Sequence, residues 1–296
     1  MADDMGLGKT LQTIAVLSTI YPACERPALV VMPRTLLFNW EKELTRFTPQ
    51  ISAHTYYGTG RDINAAMGCN IILTTYATVR NDIDKLRGID FEYIILDESQ
   101  NIKNVGAQTT QAIMLLTGRH RLALSGTPIE NNLTELYSLF RFLNPSMFGS
   151  FGSFNESYTY PIQRNGDKDA VASLRRRIYP FVLRRLKKNV LDDLPDRIDQ
   201  TIYVEMSEGQ KRIYHERRLD FRRRIDEMIG TEGIDKARFV MFQALNELRR
   251  LASVPESATG GTVSSPKIEL LVDALGQSVA NGHKAVVFFN FIAGIE

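Results

Sequence analysis

The chain has 296 residues, 44% hydrophobic and 24% charged, with a net charge of +2; this is ordinary globular composition, long enough for two domains and a substantial core. No run approaches the roughly 18 apolar residues of a membrane span, and the start, Met1-Ala2-Asp3-Asp4, lacks the basic and apolar regions of a secretory signal. Cys24 and Cys69 are the only cysteines; they can build neither a zinc cage nor a disulfide framework, and a reducing compartment is the simpler reading.

In chain order, the first feature is Asp3-Asp4-Met5-Gly6-Leu7-Gly8-Lys9-Thr10. It fits G-x-x-x-x-G-K-[ST] except that Asp3 stands at the first glycine. Gly6 and Gly8, flanking Leu7, let backbone N–H groups approach phosphate oxygens without a Cβ in the way. Lys9 offers a point charge to the β- and γ-phosphates, and the Thr10 hydroxyl a ligand to Mg²⁺. Leu11 to Tyr21 continues as a helix whose N-terminus favours an anion. The plain alternative is a glycine turn before a surface helix. A phosphate loop follows a strand, and only five residues precede Gly6, so the sequence is expected to be cut there.

Four short runs then read as strands: Ala28–Met32, Ile71–Thr75, Tyr93–Leu96 and Arg121–Leu124. Most are apolar on both faces, the pattern of parallel strands covered by helices. Leu36, Trp40, Leu44 and Phe47 share one helix face between them, as do Leu133, Leu136, Tyr137 and Phe140 further on. Strand–helix alternation predicts a doubly wound α/β domain over 1–145. Trp40 lies on the apolar face and reads as core. Asp97-Glu98 follows the third run directly, which places both acids at the carboxyl edge of a parallel sheet, where ligands bind. Asp97 is placed to hold Mg²⁺ and Glu98 to deprotonate the attacking water; the alternative is an acidic helix cap. Ser125-Gly126-Thr127-Pro128 ends the fourth run as a tight polar loop. Ser125 or Thr127 there could sense a γ-phosphate, or the loop could be a plain connection.

From residue 146 the texture changes. Phe148 to Phe154 reads as loop and Asn165-Gly166-Asp167 as a turn. Long charged helices are predicted over 207–229 and 235–251. Their stripes are Ile213, Leu219 and Ile225 on the first, and Phe239, Phe242, Leu245 and Leu248 on the second. Charge divides unevenly: residues 1–145 hold 13 Lys/Arg and 14 Asp/Glu, a net of −1, whereas 175–224 hold 15 and 8, a net of +7. The basic block could touch phosphates, or it could be a solvated helical surface. A linker at 257–266, a helix at 267–280, a turn at Asn281-Gly282 and a buried-type strand at Ala285–Phe289 complete the chain. The domain reading is therefore 1–145 nucleotide lobe, 146–256 helical insertion, 257–266 linker and 267–296 the start of a second α/β lobe, expected to be cut short.

Asp3 through Gln12 resembles motif I of the Swi/Snf-related ATPases, a branch of the superfamily-two helicase-like motors in which the first loop position is commonly acidic. Val31-Met32-Pro33 with Asn39-Trp40 and Glu43 resembles motif Ia, Leu73-Thr74-Thr75-Tyr76 motif Ib, Asp97 to Asn104 motif II and Leu124 to Asn132 motif III. The Ser99-Gln100 variant of motif II looks prokaryotic. Pro180 to Arg185 with Leu194-Pro195 resembles the lead into the family's helical insertion, and Ser265-Pro266-Lys267 through Phe291 the entry to its second lobe. The resemblance implies two RecA-like lobes, the second only begun here, and ATP with Mg²⁺. It also implies an ATP hydrolase that moves along double-stranded DNA, usually without separating the strands, as a monomeric motor. Arg34, Thr75 and Tyr76 become the candidate DNA contacts, largely independent of sequence. Arg184 and Arg185 fit either DNA or the other lobe. The cargo stays open among nucleosomes, other DNA-bound proteins and RNA polymerase. The implied location is the cytoplasm with the nucleoid for a prokaryotic source, or the nucleus for a eukaryotic one. Two rivals remain: a scaffold that binds nucleotide without turnover, and a small-molecule P-loop kinase.

Overall fold

The computed structural model describes residues 1–21, 23–126, 133–190 and 198–294. By internal packing the chain forms two compact units, Met1–Pro195 and Asp196–Glu296. No described helix is long and apolar enough to cross a membrane.

The first unit is built on five parallel strands: β1 (Ala28–Met32), β2 (Ala53–Thr55), β3 (Ile71–Thr75), β4 (Asp90–Leu96) and β5 (Thr117–Ala123). Their spatial order is β2-β3-β1-β4-β5. β1 is central, paired in parallel with β3 from Ala28↔Ile71 to Met32↔Thr75 and with β4 from Ala28↔Tyr93 to Val31↔Leu96. Every residue of β1 and β3 is buried. Period-two alternation explains why: successive side chains point to opposite faces, and both faces are covered. Leu29, Val31, Ile72, Ile94 and Leu96 enter one layer with Phe91, Ile113 and Phe142. Ala28, Val30, Met32, Ile71, Leu73 and Ile95 enter the other with Ile14, Leu17, Trp40 and Leu44.

Helices supply those coverings. In order they are α1 (Lys9–Ile20), α2 (Leu37–Phe47), α3 (Ile63–Met67), α4 (Tyr76–Asn81), α5 (Ile83–Leu86), α6 (Gln108–Met114) and α7 (Leu133–Leu143). α2 buries Leu37, Trp40 and Leu44, three and four residues apart as one helix face requires, while Phe47 at its end is exposed. Of the segment Phe148 to Phe154, expected as loop, residues 148–150 are irregular and Phe151–Phe154 is a helical turn, and the segment packs against α7 through Phe148 and Phe154. Phe154 and Tyr158 pack with Leu136, Tyr137 and Phe140 in one aromatic cluster. The short helices α8 (Phe151–Phe154), α9 (Tyr160–Asn165) and α10 (Lys168–Ile178) surround it. The glycine and serine content signalled a loop, but the interleaved phenylalanines needed burial and drew the backbone into helical turns. Gly166 ends α9 with φ 62° and ψ 30°, the left-handed cap expected of Asn165-Gly166-Asp167.

The second unit centres on α11 (Glu208–Glu232) and α12 (Ile234–Ser253), with α13 (Glu256–Thr259) and α14 (Pro266–Ala280) after them. Both long helices were expected; of the predicted stripes Ile225 takes part in their contact, while the rest of that contact lies beside the stripes. Phe221, with Ile225 and Met228, packs on Val240 and Ala244. Phe239 and Phe242 stay 70% and 69% exposed, and Leu219 and Leu245 are exposed as well. Small side chains at Ala237, Val240 and Ala244 let the helices approach closely, and that contact outcompetes the bulkier stripe beside it. Ala285–Phe289, expected as a strand, makes no strand pairing and Val286 and Phe288 are exposed; a strand needs a hydrogen-bonded neighbour, and the described residues offer none there. On α11, Arg222 and Arg223 pair with Asp226 and Asp220 of the same helix at 3.9 and 3.5 Å, as on a solvated helical surface.

Candidate nucleotide-binding site

Every parallel strand delivers its following loop to one edge of the sheet, and the expected site residues gather along it. β1 ends at Met32 before Arg34, β3 at Thr75 before Tyr76, β4 at Leu96 before Asp97 and Glu98, and β5 at Ala123 before Ser125. The segment Met1–Asp4 runs beside the end of β5: Ser125 N–H donates to the Met1 carbonyl at 3.0 Å.

The phosphate-loop geometry follows from its glycines. Gly6 and Gly8 have φ of 85° and 72°, left-handed values that a side chain resists. Gly8 caps α1, so Lys9 and Thr10 form its first turn. The Lys9 ammonium donates to the carbonyls of Asp3 and Asp4 at 2.8 and 3.2 Å, spanning the loop to which it belongs. Gln12 donates to the Leu7 carbonyl at 2.8 Å. The departure at Asp3 has a structural use. Its carboxylate is fully buried, and it accepts from the Arg185 backbone at 2.8 Å and from the Arg185 guanidinium in an ion pair. Burial pushes its pKa up, but the hydrogen bonds and charge of Arg185, with the charge of Lys9, together hold it below the ordinary carboxylate value. Arg185 also donates to Gln12 at 2.5 Å. Backbone bonds from Ala2 to Leu183 and from Asp4 to Arg185, at 2.8 and 3.1 Å, fasten the same strap along the loop. Of the two readings left open for Arg185, its partners are thus in the phosphate loop itself.

Asp97 is 6% exposed. Its Oδ1 accepts the Glu98 backbone N–H at 2.9 Å, and its Oδ2 accepts the Trp40 indole N–H at 2.9 Å. Burial is the largest influence on its pKa and the net shift is upward, opposed by those two hydrogen bonds and by the charge of Lys9. Glu98 has φ 49°, the one non-glycine residue with positive φ among those described. Such a conformation is rare for a long side chain and concentrates at functional sites. Gln100 donates to the Glu98 carboxylate at 2.7 Å, and the Ser125 hydroxyl reaches Gln100 at 3.5 Å, so the loops after β4 and β5 are linked. A Cβ on Gly126 would lie 2.6 Å from Met5 Cγ and 3.7 Å from Lys9 Nζ, which brings the loop after β5 against the phosphate loop. Thr127, the partner proposed for Ser125, lies outside the described residues, as do Leu194 and Pro195.

The candidate DNA contacts divide. Arg34 is exposed, with its guanidinium 5.7 Å from the Tyr57 ring centroid. Thr75 and Tyr76, the other two candidates, have buried side chains. Thr75 caps α4 by accepting from the Thr78 N–H at 3.2 Å, and Tyr76 donates to the Asp97 carbonyl at 2.7 Å. Short polar residues at a strand–helix junction commonly cap the helix, and a tyrosine one position on is turned back into the lobe. Trp40's polar role went unseen in the sequence, although a buried indole N–H always needs an acceptor.

Among the described residues no cluster of three or more His, Cys, Asp or Glu could hold a metal by itself. That suits Mg²⁺, which takes one or two protein oxygens and completes its shell with phosphate and water. Each Asp97 oxygen has one donor bound, leaving acceptor capacity on both.

Parallel strands that bring a lysine-bearing glycine loop and two adjacent acids to one edge make a nucleotide-binding lobe of the P-loop class. The family model described as SNF2-related domain matches residues 1–256. The Sulfolobus solfataricus SWI2/SNF2 ATPase core in complex with dsDNA aligns with a TM-score of 0.62 and 35% identity, covering 99% of this chain and 62% of that one. A second structure of that core gives 0.61 and 34%, with 99% and 61% covered. The TATA-binding protein-associated factor mot1 of Schizosaccharomyces pombe is 34% identical over 96% of this chain and 16% of its own length. An uncharacterized ATP-dependent helicase of Mycoplasma pneumoniae is 32% identical over 100% of this chain and 28% of its own. The chain belongs to the SNF2-related domain family, and the five-stranded parallel sheet with its helices is the RecA-like α/β lobe of such a core. It spans less than a third of either curated relative.

Proposed function

We propose that this chain is the ATP-binding part of a motor that hydrolyses ATP to move along double-stranded DNA or to remodel protein–DNA complexes. The observation that carries the reading is Asp97 and Glu98 at the end of β4, with Asp97 buried and within the electrostatic reach of Lys9 on the phosphate loop. Gly6, Leu7, Gly8 and Lys9 would hold the β- and γ-phosphates, and Thr10 and Asp97 would hold Mg²⁺, which supplies charge neutralisation when bound. Glu98 would accept the proton of the attacking water. Ser125, joined to Glu98 through Gln100, would report the γ-phosphate, and Thr127 would act beside it. Arg34 supports a duplex partner, since it stands exposed at the sheet edge, and the Sulfolobus relative was solved with dsDNA. The proposed cargo is a protein already on DNA, RNA polymerase among the candidates. The proposed location follows the duplex: cytoplasm and nucleoid in a prokaryote, nucleus in a eukaryote. The domain organisation proposed is a first lobe over 1–145, a helical insertion over 146–256, a linker over 257–266 and the beginning of a second lobe from 267.

The test is the ATPase rate of the whole protein with and without duplex DNA, beside Glu98→Gln. Duplex is expected to stimulate the parent, and Glu98→Gln is expected to lose turnover while retaining ATP binding. Turnover indifferent to DNA would favour a small-molecule kinase, and no turnover at all a scaffold.

A further inference from the structure

Two side chains outside the expected catalytic set end on one residue. Trp40 sits one turn into α2, is fully buried, and donates from Nε1 to Asp97 Oδ2 at 2.9 Å across 57 residues of sequence. Tyr76 is the first residue of α4, is buried, and donates from its hydroxyl to the Asp97 backbone carbonyl at 2.7 Å. Asp97 is thus held at its side chain by one helix and at its main chain by another. Its remaining carboxylate oxygen is held by the Glu98 N–H at 2.9 Å.

The helices that do this begin at the sheet edge. α2 follows the turn Arg34–Leu36 directly after β1, and α4 follows Thr75, the last residue of β3, whose hydroxyl caps it. A helix is stiff over one turn, so a displacement at the start of α2 is transmitted to Trp40 one turn along, while Tyr76 stands at the start of α4 itself. Rotating the Asp97 carboxylate away from Trp40 would strand a buried indole N–H, which makes the present rotamer strongly preferred.

We propose that Trp40 and Tyr76 are positioning residues for Asp97, the acid that would carry Mg²⁺·ATP: Trp40 ties its carboxylate to α2, so that a duplex seated at the exposed α2 start beside Arg34 adjusts it, and Tyr76 ties its main chain to α4. This rests on the motor reading above. The two hydrogen bonds are the relay: Trp40 sets the carboxylate, and Tyr76 sets the main chain from which both Asp97 and Glu98 project. Coupling of this kind is reciprocal, so bound nucleotide must change duplex affinity by the same factor that duplex changes nucleotide affinity.

The experiment uses the full-length protein with Trp40→Phe and Tyr76→Phe, each of which deletes one donor and keeps a ring. Four quantities are measured: thermal unfolding, duplex affinity with and without a non-hydrolysable fluorescent ATP analogue, the Mg²⁺ midpoint for binding that analogue, and the ratio of ATPase rates with and without saturating duplex. Outer partners of metal ligands are worth about 10–100-fold in metal affinity, so Trp40→Phe is expected to raise the Mg²⁺ midpoint about 10-fold. Both variants are expected to bind duplex as the parent does without nucleotide, and to lose about 5-fold or more of the stimulation ratio, the lower end of allosteric coupling. Tyr76→Phe is nearly isosteric, so it carries the test if Trp40→Phe fails to fold. Folded variants with parental stimulation ratio, Mg²⁺ midpoint and nucleotide effect on duplex affinity would overturn the relay while leaving the motor reading intact. A parent protein that duplex does not stimulate would overturn the motor reading and the relay with it.

Discussion

Gly8→Ala separates the backbone cost of the phosphate loop from its binding role. Gly8 has φ 72° and ψ 34°, and a Cβ there would meet nothing within 4 Å. The folded-state penalty is therefore conformational: about 1–2 kcal/mol for an L-residue in the left-handed region, offset by about 0.4–1 kcal/mol from a less flexible unfolded chain. The net is about 1 kcal/mol. Gly166 has almost the same backbone, φ 62° and ψ 30°, is equally open, and caps α9 away from the loop. Gly166→Ala should thus lose the same stability, which makes it the internal control. Only at Gly8 must backbone N–H groups come within about 3 Å of phosphate oxygens, and a methyl group there should weaken ATP binding 10-fold or more, about 1.4 kcal/mol. Urea unfolding measures the first effect and equilibrium binding of a fluorescent ATP analogue the second. Matching stability losses with parental ATP affinity in Gly8→Ala would refute the phosphate-cradle argument; unequal stability losses would refute the backbone argument.

Lys9→Ala should weaken ATP binding by more than 10-fold, measured by filter binding, because it removes the loop's ammonium. The pKa of Asp97 is raised chiefly by burial, and the proposed Mg²⁺ role needs the ionised form, so the acid limb of kcat/KM should lie above the ordinary aspartate value of about 3.9; a limb at or below that value contradicts the assignment. For stability the sign is that of a raised carboxyl: ionisation of Asp97 costs stability, and the cost appears as pH rises through its folded-state pKa. Asp82 shows the opposite sign. Its hydrogen bonds from Arg61, foremost, and from Tyr56 outweigh burial and bring its pKa down to about 2, so its contribution is present above about pH 4 and lost as pH falls toward 2. Asp82→Asn should flatten that part of the acid-unfolding profile, followed by circular dichroism. Duplex affinity should fall linearly in a plot of log K against log salt, and Arg34→Ala should reduce the slope by about 1; an unchanged slope removes Arg34 from the phosphate contacts.

The glycine–lysine loop, the acid pair and four of the five strands are legible in the sequence because each is a local pattern. Runs of five residues at Ala28–Met32 and Ile71–Thr75 state by themselves that both faces are buried, and the glycine spacing before Lys9 marks where the backbone takes its left-handed turns. β2, with three residues and no apolar pattern at Ala53–Thr55, has no such signal; it exists because β3 offers an open edge. The same limit applies to α12, where two apolar faces compete and only the shape of α11 selects Val240 and Ala244 over Phe239 and Phe242. It applies most strongly to the site. Tyr76 and Trp40 reach Asp97 over 21 and 57 residues, and Arg185 reaches Asp3 over 182. Those pairings satisfy buried donors and acceptors, and which partner lies within hydrogen-bond distance is settled only when strand order and helix placement have brought distant segments to one edge of the sheet.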